Sequence, residues 1–252
     1  MPPFKDKIEK ISIEKGSDVV LALDFPFQEP KRRNSLLRKA ETAFKAAQPH
    51  ICAVKINHHL LLPLGTFDGV QNLIGRIHDQ GLLAIMDCKV NDIGATNQTI
   101  ADYYYAAGFD CLIANPFVGW EEGLQPVFET AKRQDRGVIL LSYMSHKGAI
   151  EGYGQTVIDW ETGVKMPQYV SFAIKALKWM ADGVVVGATA PEKILEVNKI
   201  LQGRVPIYSP GVGAQGGGGT TARKAGARFL IVGREITMAN DPAAAAKRIA
   251  SI

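Results

Sequence analysis

At 252 residues, with 46% hydrophobic, 21% charged and 8% aromatic side chains, the chain has the make-up of an ordinary globular protein able to bury a large core, which excludes extended disorder. The formal net charge of +4 is scattered apart from Lys31-Arg32-Arg33, a solvated loop or helix start, so no nucleic-acid partner is expected and a small anionic ligand suits the local positive charge better. The sequence lacks an apolar stretch of about 18 residues, and Met1 to Gly16 has no apolar leader segment, so neither a membrane span nor targeting is expected.

Short apolar runs alternate with amphipathic segments along the chain. The runs are Val19 to Asp24, Ile51 to Ile56, Leu82 to Asp87, Cys111 to Ala114, Val138 to Ser142, Gly183 to Gly187, Pro206 to Pro210 and Phe229 to Gly233. Between and after them lie helical patterns at Asn34 to Ala47, Thr66 to Gln80, Ala95 to Ala107, Glu121 to Arg133, Gln168 to Ala181, Pro191 to Leu201, Thr220 to Ala225 and Pro242 to Ile252. Runs that are apolar throughout suit parallel strands covered on both faces. Pro191 and Pro242 stand where a first-turn proline is tolerated, Asp241 is placed to cap, and Gly81, Gly108 and Gly226 follow helical segments. Eight such units predict an α/β fold of the closed (β/α)8 TIM-barrel type, rather than an open doubly wound sheet, as a single domain over residues 1–252. The one long connection, Gly148 to Pro167, reads as a substrate cover or an interface element. Cys52, Cys88 and Cys111 are odd in number and set in apolar surroundings, the pattern of buried thiols in a reducing cytoplasm.

In such a barrel the chemistry sits at the C-terminal ends of the strands, which here carry Asp24, Lys55, Asp87, Lys89, Ser142, Ser145 and Arg234. Asp87 and Lys89 alternate to one face of their strand while Cys88 points away. Burying ionised groups is costly unless they are paired, so Asp87, Lys89 and Asp92 form either a charge cluster for catalysis or a salt-bridge network closing the barrel end. Asp92 and Thr96, four apart at a helix start, can share a face; Asp92 can equally be a cap.

The glycine-rich segment Pro210 to Gly219 and the end Val232-Gly233-Arg234 occupy the two loops where barrels often hold phosphate, and Arg234 can add a bidentate charged contact. Gly211-Val212-Gly213-Ala214-Gln215-Gly216 also matches a dinucleotide fingerprint, but the next strand ends in Gly233-Arg234 where that motif needs an acid. His58-His59 lack partners with ligand spacing, so no metal site is expected. His146 beside Ser145 stays open, and the tryptophans and Tyr103-Tyr104-Tyr105 read as packing residues.

Taken in order, Leu21-Ala22-Leu23-Asp24, Val54-Lys55-Ile56, Asp87-x-Lys89-x-x-Asp92 with Thr96, Met144-Ser145-His146, Pro210-Gly-Val-Gly-Ala-Gln215-Gly-Gly and Val232-Gly233-Arg234 resemble the orotidine 5′-phosphate decarboxylase family, in its archaeal form. The third-strand motif alone is shared with hexulose-phosphate synthases and ketogulonate-phosphate decarboxylases. The resemblance implies decarboxylation of orotidine 5′-phosphate to UMP, with no cofactor, in a homodimer with shared sites. Asp24 and Lys55 would bind ribose hydroxyls, Asp87 and Lys89 would flank the scissile carboxylate, and Asp92 and Thr96 would enter from the neighbouring subunit. Ser145 would contact the pyrimidine; Gln215, Gly233 and Arg234 the phosphate; and Pro210 would line the same substrate site. Lys147 departs from the family pattern, which has proline there.

The residue types suit that chemistry on their own terms. Losing carbon dioxide from a ring carbon without an adjacent electron sink leaves a localised carbanion, which Lys89 can both stabilise and protonate. A metal-assisted enzyme acting on a sugar phosphate through an enediolate, and a silent barrel that only binds phosphorylated ligands, are the competing readings.

Overall fold

A computed structural model describes residues 3–213 and 215–252; Met1, Pro2 and Ala214, the last within the glycine-rich segment, lie outside the described residues. The chain supplies β1 (Val19–Ala22), β2 (Ala53–Asn57), β3 (Leu83–Val90), β4 (Cys111–Ala114), β5 (Gly137–Tyr143), β6 (Thr156–Ile158), β7 (Lys165–Pro167), β8 (Gly183–Val186), β9 (Ile207–Pro210) and β10 (Phe229–Val232). All but β6 and β7 pair in parallel and close into one barrel in the order β1-β2-β3-β4-β5-β8-β9-β10, with β10 returning to β1. Each barrel strand coincides with one of the apolar runs in the sequence, to within three residues at either end. The predicted (β/α)8 barrel is therefore the observed architecture, and its helices follow the expected segments, with Pro191–Leu201 matching at both ends.

Local signals act as the sequence implies. Asp241 accepts from the Ala244 N–H at the start of the helix Pro242–Ala250, and Gly81, Gly108 and Gly226 all take positive φ just beyond helix ends.

Alternation along the strands sorts the core into two layers. Val20, Ala22, Ala53, Ile85, Ile113 and Ile231 are among the residues packed inside the barrel, whereas Leu21, Val54, Ala84 and Leu230 face the surrounding helices. The floor of the barrel is filled by an element that charge alternation in the sequence obscured. The helix Phe4–Lys15 inserts Phe4 and Ile8, both essentially fully buried, into the interior layer. Phe4 presses so closely on β5 that a Cβ added at Gly137 would lie 2.4 Å from its own Cβ. Closing the floor leaves the opposite end, where the strands finish, as the open mouth.

No residue of the long connection Gly148 to Pro167 lines the cavity formed at the strand ends. The connection forms a short helix, Ala149–Gly152, and then the antiparallel hairpin of β6 and β7. Backbone bonds from Gln168 N–H to the Gln155 carbonyl and from Tyr169 N–H to the Tyr153 carbonyl tie it to the next helix, Gln168–Lys178. At its tip Glu161 pairs with Lys178, at 2.6 Å, on the last residue of that helix. Helices in this fold run opposite to the strands, so the hairpin lies along the outer flank with its tip toward the floor. Among the described residues no helix is long and apolar enough to cross a membrane.

Candidate active site

Three neighbouring strands end their inward rows in charge. Val20 and Ala22 of β1 lead to Asp24, Ala53 of β2 leads to Lys55 and Asn57, and Ile85 of β3 leads to Asp87. The register sets Asn57 beside Asp87 and Lys55 one layer below, opposite Ala22 and Ile85. Lys89 reaches the same side by a different route. It takes φ 52, a left-handed conformation costing a non-glycine residue about 1 kcal/mol, where the pairing of β3 with β4 shifts register between Met86 and Val90. Cys88 turns away and packs partly buried against the outer core layer, as alternation implies.

The result is a chain of alternating charge. Lys55 Nζ lies 2.7 Å from Asp87 Oδ2 and 3.4 Å from Asp24 Oδ1, and Lys89 Nζ lies 2.6 Å from Asp87 Oδ1. Lys55 is buried, its side chain 5% exposed, whereas Lys89 is 36% exposed at the end of the chain. Burial is the largest influence on Lys55 and acts to lower its pKa, but Asp87 and Asp24 together outweigh it and the net effect is a raised value. Burial likewise works to raise Asp87, yet the two lysines overcome it and hold the carboxyl at about 2. Asp87 is thus an anion, and the ammonium of Lys89 is the more exposed of the two cations flanking it.

Across the mouth stands a wall with few side chains. Ser145 follows β5 and is held between two glycines: a Cβ at Gly187 would lie 2.6 Å from Ser145 Cα, and one at Gly211 would lie 3.1 Å from Ser145 Cβ and 2.8 Å from Gln215 Oε1. No larger residue would let these segments converge. The glycine loop folds back on itself through bonds from Gly213 N–H to the Gly217 carbonyl and from Gly217 N–H to the Gly211 carbonyl. Arg234 opens the short helix Arg234–Thr237 directly after β10 and Gly233.

Asp24, Lys55, Asp87, Lys89, Ser145, Pro210, Gln215, Gly233 and Arg234 all line one cavity of about 240 Å³ at this end of the barrel. Asp92 and Thr96 do not. Both are exposed; Asp92 lies in a bend before the helix Gly94–Ala106, and its carboxylate accepts from the adjacent Ile93 N–H rather than capping that helix. His58 and His59, both exposed, open a short helix, His58–Leu64, instead of extending a strand or loop. Among the described residues no cluster of three or more His, Cys, Asp or Glu is disposed to hold a metal ion. Asn57 is a polar cavity residue that sequence reasoning passed over, although its place two beyond Lys55 on the same strand puts it on the same face.

Residues 17–249 match the model of the family described as Orotidine 5′-phosphate decarboxylase / HUMPS family. The chain belongs to that family. Among curated relatives, orotidine 5′-phosphate decarboxylase of Methanosarcina barkeri is 33% identical over 95% of this chain and 96% of its own, and that of Thermococcus kodakarensis is 34% identical over 92% and 95%. Among solved structures, the decarboxylase of Methanocaldococcus jannaschii in complex with the inhibitor BMP superimposes with a TM-score of 0.78 at 27% identity, covering 93% of this chain and 97% of its own. Leishmania donovani OMP decarboxylase shares the fold, with a TM-score of 0.81 at 21% identity over 99% of this chain and 96% of that one.

Proposed function

We propose that this protein is an orotidine 5′-phosphate decarboxylase that forms UMP, the closing step of pyrimidine nucleotide synthesis, in the cytoplasm, with the whole chain working as one barrel domain and without a metal or organic cofactor. The observation that carries the proposal is the Lys55–Asp87–Lys89 charge chain facing the glycine loop and Arg234 across one cavity. A phosphate held by Arg234, Gln215 and Gly233, with the ribose on Asp24 and Lys55, leaves the pyrimidine against Ser145 and its carboxylate against Asp87 and Lys89. The bond from ring to carboxylate breaks, its electron pair stays on the ring carbon, and carbon dioxide departs. The Lys89 ammonium stabilises that pair and then gives up a proton to it, and solvent reprotonates the amine. Asp87, ionised because two cations flank it, disfavours the substrate carboxylate more than the transition state that is losing it. Binding energy from the remote phosphate orients the ring over these groups.

Asp92 and Thr96 enter as groups donated to a second copy. Asp92 lies beside Ile93, 68% exposed, and Thr96 on the helix that carries Tyr103, 59% exposed, whose ring meets the half-exposed Phe67 at 6.1 Å. Exposed apolar groups of this kind suit a homodimer interface. The test is loss of orotidylate absorbance on adding EDTA-treated protein. Absence of turnover sinks the proposal, and strict magnesium dependence favours the enediolate chemistry of a sugar-phosphate enzyme. Lys89→Ala protein is expected to bind UMP yet decarboxylate at least ~1,000-fold more slowly.

A further inference from the structure

We infer that Asn57 is a positioning residue that holds the carboxylate of Asp24 ready for the ribose, an inference that rests on the decarboxylase proposal and deepens it. Asn57 ends β2, and the two ends of its amide have different partners. Its Oδ1 accepts from the His59 N–H at 2.8 Å and caps the helix His58–Leu64, while its Nδ2 donates to Asp24 Oδ1 at 2.8 Å. The cap decides how the amide is turned. Only the carbonyl end can accept from a backbone N–H, so the NH2 end must face Asp24.

That orientation divides the labour of the two Asp24 oxygens. Oδ1 receives Asn57 at 2.8 Å and Lys55 at 3.4 Å. Oδ2 faces Gly233, where an added Cβ would lie 3.5 Å away, and among the described residues no donor reaches it. It is therefore the oxygen free to accept from a sugar hydroxyl. Lys55 cannot fix Asp24 unaided, because its short contact, at 2.7 Å, is with Asp87. A carboxylate locked in one rotamer before the ligand arrives loses less freedom on binding, so the gain appears as affinity for the ribose hydroxyls alone.

The experiment compares the parent protein, Asn57→Ala and Asn57→Ser in binding UMP and 2′,3′-dideoxyuridine 5′-phosphate. Asn57→Ser keeps an oxygen able to cap the helix while withdrawing the amide from Asp24, which separates positioning from folding. Both variants are expected to lose about tenfold in affinity for UMP and less than about twofold for the dideoxy ligand, with kcat/KM on orotidine 5′-phosphate falling alongside the UMP loss. Equal weakening of both ligands, or an unchanged affinity for UMP, overturns the inference. A parent protein that binds neither nucleotide overturns the decarboxylase proposal itself, and the inference with it, before any substitution is made.

Discussion

Asp87 is the residue that pairs with both cations of the site, the buried Lys55 and the more exposed Lys89. One of its oxygens meets Lys55 at 2.7 Å and the other meets Lys89 at 2.6 Å, so removing its charge leaves a lysine that is 5% exposed with only the longer contact to Asp24, at 3.4 Å. Asp87→Asn is accordingly expected to destabilise the fold by about 3 kcal/mol near neutral pH, the typical cost of breaking a buried pair. The pH dependence follows from the direction of the shift. The folded-state value of about 2 lies below the ordinary 3.8, so the stabilisation is fully present above 3.8 and is lost as pH falls toward 2. Denaturant unfolding of parent and variant should give a constant gap above pH 5 that narrows between 3.8 and 2, as a protonated Asp87 comes to resemble asparagine. A gap that stays constant through that window would show that Asp87 is not held ionised by its neighbours.

At the level of elements, what could be read from the sequence depended on how strongly burial constrained each stretch. Strands covered on both faces must be apolar throughout, so all eight were visible, and the charges ending them were conspicuous by contrast. The bulge at Lys89 was not visible, because a left-handed residue followed by a register shift leaves no compositional mark when the residue is lysine. The helix Phe4–Lys15 was hidden for another reason: it buries only Phe4, Ile8 and Ser12, so its apolar stripe is thin against its lysines and glutamates. The hairpin of β6 and β7 was hidden by exposure, with Ile158 and Trp160 64% and 87% exposed, giving no inside-outside pattern to read. Its position now permits a sharp expectation. Since Thr156 pairs with Pro167, the hairpin can be cut back to a two-residue Asn-Gly turn at that point without disturbing the flanking helix. None of the removed residues lines the cavity, so kcat and KM should stay within about twofold of the parent, the range of a surface change. A much larger fall in kcat, measured by steady-state kinetics, would restore the hairpin to the site.

For the molecule as a whole, one chain does not bring all of the expected site residues together. Nine of the eleven residues that the family resemblance assigns to the site line one cavity, while Asp92 and Thr96 are exposed outside it, close to exposed apolar groups. Sequence spacing could not separate these two sets, because position along a strand and the following helix does not say which subunit's substrate a side chain serves. If each site takes Lys89 from one subunit and Asp92 from the other, two inactive proteins can restore one another. Lys89→Ala is the suitable partner for Asp92→Asn, since Lys89 is far more exposed than Lys55 and its loss leaves Asp87 still paired with Lys55. Mixed and reassociated at equal concentration, half of the dimers are mixed, and each of these has one intact site and one doubly defective site. The mixture should therefore recover about one quarter of the parent kcat per subunit, from components that are each nearly inactive alone. Tagging the two variants differently verifies exchange, and mixed dimers isolated through both tags should show about half of parent activity. If those isolated dimers are as inactive as their components, Asp92 serves its own subunit and the shared-site arrangement is wrong.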